Sequence, residues 1–222
     1  MALTISVATP KGGAGKTTIA CLLAGEFSHR GHRVALLEGD DQGSAALWYE
    51  TSVLRGRRPP NIDLVRAHTE ALLRETLPRL DAEYDYIIID AAGVADNRLS
   101  YAALAADLVV IPSRPHILDA TQAVRMTKFL SAAALTVGVE PPPMKIVLNA
   151  VEAVQRNSQQ MAEVVSYFSE TGIPPIPVTL FNRVTYGTMM LGNGTLYQLP
   201  ETDAVKNGRK NIADLLDRYL LV

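Results

Sequence analysis

Pro10-Lys11-Gly12-Gly13-Ala14-Gly15-Lys16-Thr17-Thr18 follows directly on the apolar run Leu3–Ala8 and opens a helical pattern. A buried strand, a glycine-rich turn and a helix start, in that order, make a phosphate cradle. Glycines let consecutive backbone N–H groups converge on phosphate oxygens, because no Cβ blocks the approach. The helix adds its positive dipole end. Lys16 supplies a charge for the β- and γ-phosphates, and Thr17 supplies a hydroxyl for Mg²⁺. A tight strand-to-helix turn would explain the glycines alone, but not Gly-Lys-Thr placed between strand and helix. The usual P-loop has glycine five residues before Gly15; here that position is Pro10, and a second lysine, Lys11, stands beside it. The loop is a variant, and nucleotide binding through residues Lys11 to Thr18 is expected.

Outward from this loop, short apolar runs alternate with longer helical patterns. Strands are expected at Leu3–Ala8, Arg33–Leu37, Ile62–Val65, Tyr86–Asp90, Leu108–Pro112, Lys145–Asn149 and Ile176–Thr179. Helices are expected at Lys16–Arg30, Ser44–Leu54, Thr69–Leu80, Asn97–Ala105, Asp119–Thr136, Ser158–Thr171 and Thr202–Tyr219. The strands are near-continuous in Val, Ile and Leu, as strands covered on both faces should be. The reading is an α/β fold, a doubly wound and mostly parallel sheet flanked by helices. No long linker or repeat interrupts it, so residues 1–222 are expected to form one P-loop ATPase domain.

The 222 residues suffice for a sizeable core, and 48% hydrophobic with 20% charged residues is ordinary for a globular protein. A net charge of -2 means that any nucleic-acid contact must rest on a local patch. The one cysteine, Cys21, excludes an internal disulfide and a multi-cysteine metal site. It falls in an apolar helix pattern, where a buried structural thiol is expected. Neither a signal peptide nor a membrane-length apolar run is apparent, so a cytoplasmic protein is expected.

In such sheets ligands bind beyond the carboxyl ends of the strands. The second strand runs into Glu38-Gly39-Asp40-Asp41, three carboxylates in four residues. Helix capping by Asp41 or Ser44 needs only one such group; a metal or an attacking water gives the others a task. Tyr86–Asp90 is an apolar strand ending in aspartate, the pattern of a Walker B element that serves Mg²⁺. Ala91-Ala92-Gly93 then forms a small-residue loop suited to sensing a γ-phosphate. Asn149, at the end of another buried strand, either bonds the adenine edge or caps the next turn.

Together these motifs resemble the ParA/MinD family of deviant Walker A ATPases, and most of all the small ParA proteins of the ParF type. Lys11–Thr18 matches the family's Lys-Gly-Gly-x-Gly-Lys-Thr-Thr. Glu38–Gln42 is similar to its Asp-x-Asp-Pro-Gln motif, Tyr84–Gly93 to its Walker B stretch, and Leu108–Pro112 to the strand that follows. Asn182, Arg183 and Tyr186 match a late segment near the base and dimer face. Glu38 and Asp41 depart from the pattern, standing for aspartate and proline; Asp41 puts extra negative charge near the γ-phosphate. The resemblance implies an ATP-dependent sandwich homodimer with ATP and Mg²⁺ as cofactors. In it Lys11 acts across the interface and Lys16 in cis, Asp40 orients the attacking water, and Thr17, Asp90 and Glu38 stand on the metal side. Asn149 and Asn182 would serve the nucleotide. It further implies non-specific binding to nucleoid DNA, and a ParB- or ParG-like adaptor that stimulates hydrolysis.

For DNA, Arg183 and the cluster Lys206, Arg209, Lys210 are the leading candidates, with Arg55, Arg57 and Arg58 behind them; the plain alternative for the cluster is a solvated helix start. The function expected is a partition ATPase that segregates plasmid or chromosomal DNA. Alternatives are a positioning ATPase for a protein cluster or microcompartment, a MinD-like membrane-cycling ATPase, an ATP-dependent biosynthetic enzyme, and a nucleotide-binding module without turnover. The tail Asn211–Val222 has Ile212, Leu215, Leu216 and Tyr219 at helical spacing and carries Asp214, Asp217 and one Arg218 on its polar face, which disfavours a membrane partner. Cys21 alone cannot hold an iron–sulfur cluster of the nitrogenase-reductase type.

Overall fold

The computed structural model describes residues 1–93 and 96–221. Its centre is a seven-stranded sheet in the order β3-β2-β4-β1-β5-β6-β7. The strands are β1 (Leu3–Val7), β2 (Val34–Glu38), β3 (Ile62–Arg66), β4 (Tyr86–Asp90), β5 (Leu108–Ser113), β6 (Met144–Val151) and β7 (Thr179–Phe181), and each pairs in parallel with its neighbours. The helices are α1 (Lys16–His29), α2 (Ser44–Leu54), α3 (Glu70–Glu83), α4 (Asn97–Leu104), α5 (Ile117–Val137), α6 (Gln159–Glu170), α7 (Val184–Met190) and α8 (Asp203–Leu215).

Alternation along each strand divides the core in two. Leu36 and Ile88 face one side with Phe27 and Cys21 of α1, Trp48 of α2, and Ile212 and Leu215 of α8. Their neighbours Leu37, Ile87 and Ile89 face the other side with Leu73 of α3, Leu99 of α4, Leu130 of α5 and Phe168 of α6. Each such side chain stabilises the fold by roughly 1.5–3 kcal/mol on full burial. Cys21 is fully buried, and burial pushes its thiol above the usual range. Helix starts follow the side chains that can cap them: Thr69, Asp96, Ser158 and Thr202 each accept a backbone N–H of the first turn.

Three differences from the expected elements have local causes. β7 begins at Thr179, because Pro177 has no N–H to give the ladder; upstream of it Ile176 still donates to the Ile146 carbonyl at 2.9 Å. α7 is a short helix whose interior holds Gly187, and this hides its periodicity. α8 gives way after Leu215 to one π-type turn, Leu216–Leu220.

Register sets the function. Val7 pairs with Asp90 across β1 and β4, and Glu38 pairs with Asp90 across β2 and β4. The glycine-rich loop, the acidic loop and the Walker B aspartate therefore leave adjacent strands at one level. β1 lies between β4 and β5, where the strand order reverses and open α/β sheets place their ligands.

Candidate nucleotide site

The loop from Pro10 to Gly15 relies on its glycines. Gly13 has φ +74° and Gly15 has φ +93°, conformations that strain any other residue. Gly15 is the N-cap of α1 and no side chain caps the helix. The first-turn N–H groups are thus left facing the loop, the arrangement that binds anions. Asn149 Nδ2 donates to the Ala14 carbonyl at 2.8 Å, and a Cβ on Gly15 would lie 2.2 Å from that nitrogen. The structure gives Asn149 a bracing contact to the loop, on the wall of the neighbouring cleft.

Inside the loop Lys16 is 8% exposed. A Cβ built on Gly93 would lie 3.3 Å from Lys16 Nζ and 3.3 Å from Asp40 Oδ2. The ammonium, the acidic-loop carboxylate and the loop after β4 therefore meet at one point. Thr17 Oγ1 donates to Asp90 Oδ2 at 2.7 Å, while Asp90 Oδ1 is buried without a hydrogen-bond partner. Burial pushes the Asp90 carboxyl up to about 7, the Thr17 hydrogen bond working against that and the Glu38 charge adding to it. An orphaned carboxylate oxygen beside a threonine hydroxyl fits Mg²⁺, which takes one or two protein ligands and completes its shell with waters and phosphate oxygens. Among the described residues no group of three or more His, Cys, Asp or Glu forms a dedicated metal cage.

Glu38 takes another task than the metal-side one expected of it. Fully buried, it accepts Ala45 N–H at 2.8 Å and Ala46 N–H at 3.1 Å on Oε2, and Asp40 N–H at 3.2 Å on Oε1. It thereby caps α2, whose own N-cap is Gly43, and anchors the loop that carries Asp40. Burial raises its carboxyl above the usual range, and the three backbone donors partly offset this. The extra methylene of glutamate is what lets it reach the first turn of α2.

Lys11 lies at the rim. Its Nζ pairs with Asp119 Oδ1 of α5, and Arg114 Nε donates to Asp119 Oδ2 at 2.6 Å. Asp119 has only 2% of its side chain exposed, against 31% for Lys11. Burial works to raise the Asp119 carboxyl, yet the hydrogen bonds from Arg114 and Lys11 hold it below the usual range. In the sequence Asp119 marks only a helix start. The pairing is topological, arising because β5 lies beside β1 in the sheet.

A cleft of about 670 Å³ adjoins the loop, lined by Gly15, Thr18, Asn149, Asn182, Arg183 and Tyr186 among others. Asn182 Nδ2 donates to Glu152 Oε1 at 2.5 Å, and Arg183 lies over the Phe181 ring at 5.6 Å. Its size and place next to the phosphate loop suit a nucleoside. Arg183 thus belongs to the cleft wall, apart in role from the α8 cluster that shares its basic character. In that cluster Lys206 pairs with Glu201 at 2.9 Å, Lys210 is exposed, and Arg209 gives Nε and Nη2 to the Leu196 carbonyl at 3.2 and 3.0 Å.

Comparison with known proteins agrees with this geometry. The family model described as VirC1 protein matches residues 1–220. Protein ParA of Rhizobium radiobacter is 29% identical over 195 residues, covering 88% of this chain and 85% of that protein. The maintenance of carboxysome distribution protein A of Halothiobacillus neapolitanus is 24% identical, over 89% of this chain and 88% of its own. Among solved structures, McdA of Cyanothece in complex with ATP superposes with a TM-score of 0.78 at 15% identity, covering 97% of this chain and 95% of that one. MinD of Pyrococcus horikoshii with Mg-ADP does so with a TM-score of 0.73 at 18% identity, over 99% and 98%. These structural likenesses show the fold, and the family match is carried by the sequence. The chain belongs to the VirC1 protein family, within the ParA-like partition and positioning ATPases of the P-loop class.

Proposed function

We propose that this chain binds and hydrolyses ATP as a nucleotide-switched homodimer that positions a cargo over non-specific DNA. The observation that carries the reading is the convergence of Lys16, Asp40 and Gly93 beside the Thr17–Asp90 pair. ATP would lie with its base in the Asn149–Asn182 cleft and its phosphates on the Gly12–Thr18 amides. Lys16 would neutralise the β- and γ-phosphate charge. Thr17 and Asp90 would hold Mg²⁺, which supplies further neutralisation of the phosphate oxygens. Asp40 would orient the attacking water and accept its proton. Phosphoryl transfer demands positioning and charge more than covalent chemistry, and these residues offer both.

A second copy of the chain is supported by what surrounds the site. Ile117 and Leu118 beside Lys11, Val154 beyond β6, and Val184 beside the cleft are exposed apolar side chains. They flank the phosphate loop on the face where Lys11 could exchange Asp119 for a partner's phosphates. Of the DNA candidates Lys206 and Lys210 keep exposed charges, and dimerisation would double them. An adaptor that stimulates hydrolysis is part of the same reading. The similarity to ParA and to carboxysome-distribution proteins supports DNA or a protein cluster as the cargo. Ile212, Leu215 and Leu216 are buried, so the apolar side of α8 packs into the core, which weighs against its use on a lipid surface. Among the described residues no helix is long and apolar enough to cross a membrane.

The test is phosphate release, light scattering and duplex-DNA anisotropy with ATP and with ADP. The expected result is slow release, an ATP-only dimer that Lys11→Ala abolishes without loss of ATP binding, and DNA affinity in the ATP state alone. Equal behaviour in both nucleotides contradicts the switch.

A further inference from the structure

Asp41 is the third carboxylate of the acidic loop and the one that the phosphate chemistry leaves without a task. Its Oδ2 accepts Arg98 Nη1 at 2.7 Å. The same nitrogen donates to the His68 carbonyl at 3.0 Å, and Arg98 Nε donates to Asp96 Oδ2 at 2.9 Å. Asp96 Oδ1 meanwhile caps α4 through the N–H groups of Arg98 at 2.9 Å and Leu99 at 3.1 Å. One guanidinium thus joins the segments that follow β2, β3 and β4, three neighbours in the sheet.

The loop from Gly39 to Gly43 needs such a tether. It has glycine at both ends, and Gly43 is left-handed at φ +65°. Gly39 N–H is tied to the Asp90 carbonyl at 3.0 Å, but from Asp40 onward the other ties are short-range: Glu38 to Asp40 N–H, Asp40 Oδ1 to Gln42 N–H at 3.0 Å, and the Asp40 carbonyl to Gly43 N–H at 3.1 Å. Arg98 is held independently of Asp41, by Asp96 on Nε and by the His68 carbonyl on the shared Nη1, and its side chain is only 25% exposed. It is therefore the fixed partner, and Asp41, at 61%, is the held one. The pairing also balances the charge of Asp41 in a loop beside a site that must accept phosphate charge.

We infer that Arg98 is a positioning residue for the hydrolytic step: by gripping Asp41 it fixes the loop that presents Asp40 to the phosphate site. This rests on the proposed role of Asp40 in orienting the attacking water. An exposed ion pair adds little to global stability, so the effect falls on placement rather than on folding. Misplacing a reacting group by about an ångström costs up to roughly 100-fold in rate. A loop that still samples its proper position should lose less.

The experiment is single-turnover ATP hydrolysis and ATP affinity for Arg98→Ala, Asp41→Asn, the double variant and Arg98→Lys. Hydrogen exchange of the 39–43 amides is measured on the same proteins without nucleotide. Arg98→Ala should slow hydrolysis about 10-fold with ATP affinity within about twofold, and Asp41→Asn should do the same. The double variant should be no slower than either single one, since both remove the same ion pair. Arg98→Lys should recover part of the rate. Exchange at 39–43 should quicken in Arg98→Ala. Additive losses, unchanged rates, or exchange that stays as in wild type each overturn the inference. If the wild-type protein hydrolyses no ATP, the role of Asp40 falls, and the exchange data still decide whether Arg98 holds the loop.

Discussion

The two lysines of the phosphate loop are held in opposite ways. Lys16 is buried at a point shared with Asp40 and Gly93, beside the Thr17–Asp90 pair, where adjacent strands end at one level. Lys11 is part-exposed, reaches sideways from the loop, and rests on a carboxylate that also serves Arg114. The inner group sits in a low-dielectric setting where fixed charge is strong and reorganisation is small, as chemistry requires. The rim ammonium is part-exposed, and its carboxylate keeps Arg114 as a partner when Lys11 turns to another anion. On the proposed reading, one short loop carries a fixed charge for catalysis and a movable one for switching.

Removing the inner charge should have the largest effect. Lys16→Ala deletes the cation that faces the phosphates, and hydrolysis should fall at least roughly 1000-fold, with ATP binding abolished by calorimetry. Asp40→Ala should spare ATP binding and lower single-turnover hydrolysis by about 100-fold, the usual worth of a positioned base. Wild-type turnover in Asp40→Ala would move the catalytic task elsewhere in the acidic loop and would blur the line between inner and rim groups.

The rim should respond in the opposite direction. Asp119→Asn keeps the shape of the side chain and removes the charge that retains Lys11. The freed lysine should make the ATP-dependent dimer form at about fivefold lower protein concentration, the low end of ordinary coupling energies. Light scattering across a dilution series measures this. A weaker dimer in Asp119→Asn would mean that Asp119 aims Lys11 at its target instead of retaining it.

What is legible in the sequence follows from distance along the chain. The phosphate loop, the strand ending in Asp90 and the β–α alternation are local patterns, and their periods and spacings survive in a single sequence. Lys11 with Asp119 and Asp41 with Arg98 are separated by 108 and 57 residues. Only the strand order β3-β2-β4-β1-β5 brings them together, and no period in the sequence marks them. Glu38 is legible as a carboxylate at a strand end, but not as a buried cap for α2, because capping residues ordinarily flank the helix they cap and Glu38 stands six positions before its start. The short helix α7 hides its signal behind Gly187.

The basic residues of α8 offer the same contrast between fixed and free charge in its smallest form. Arg209 has 20% of its side chain exposed, gives two hydrogen bonds to the Leu196 carbonyl, and lies over the Tyr197 ring at 4.8 Å. Lys210 is its exposed neighbour. Arg209→Ala removes the charged hydrogen bonds and the cation–π interaction, and should cost about 1–2 kcal/mol. In a chain of this length that lowers Tm by roughly 4 °C. Lys210→Ala should leave Tm unchanged within about 1 °C. If the ATP-bound dimer uses this patch on duplex DNA, Lys210→Ala removes one cation from each copy. The log–log salt slope of binding should then flatten by about 0.9 for each phosphate no longer neutralised. A flatter slope in Arg209→Ala with no change in Tm would reverse the two assignments, showing that the guanidinium leaves Leu196 to meet DNA. An unchanged slope in both variants would move DNA binding off α8 and direct the search to the Arg55–Arg58 loop.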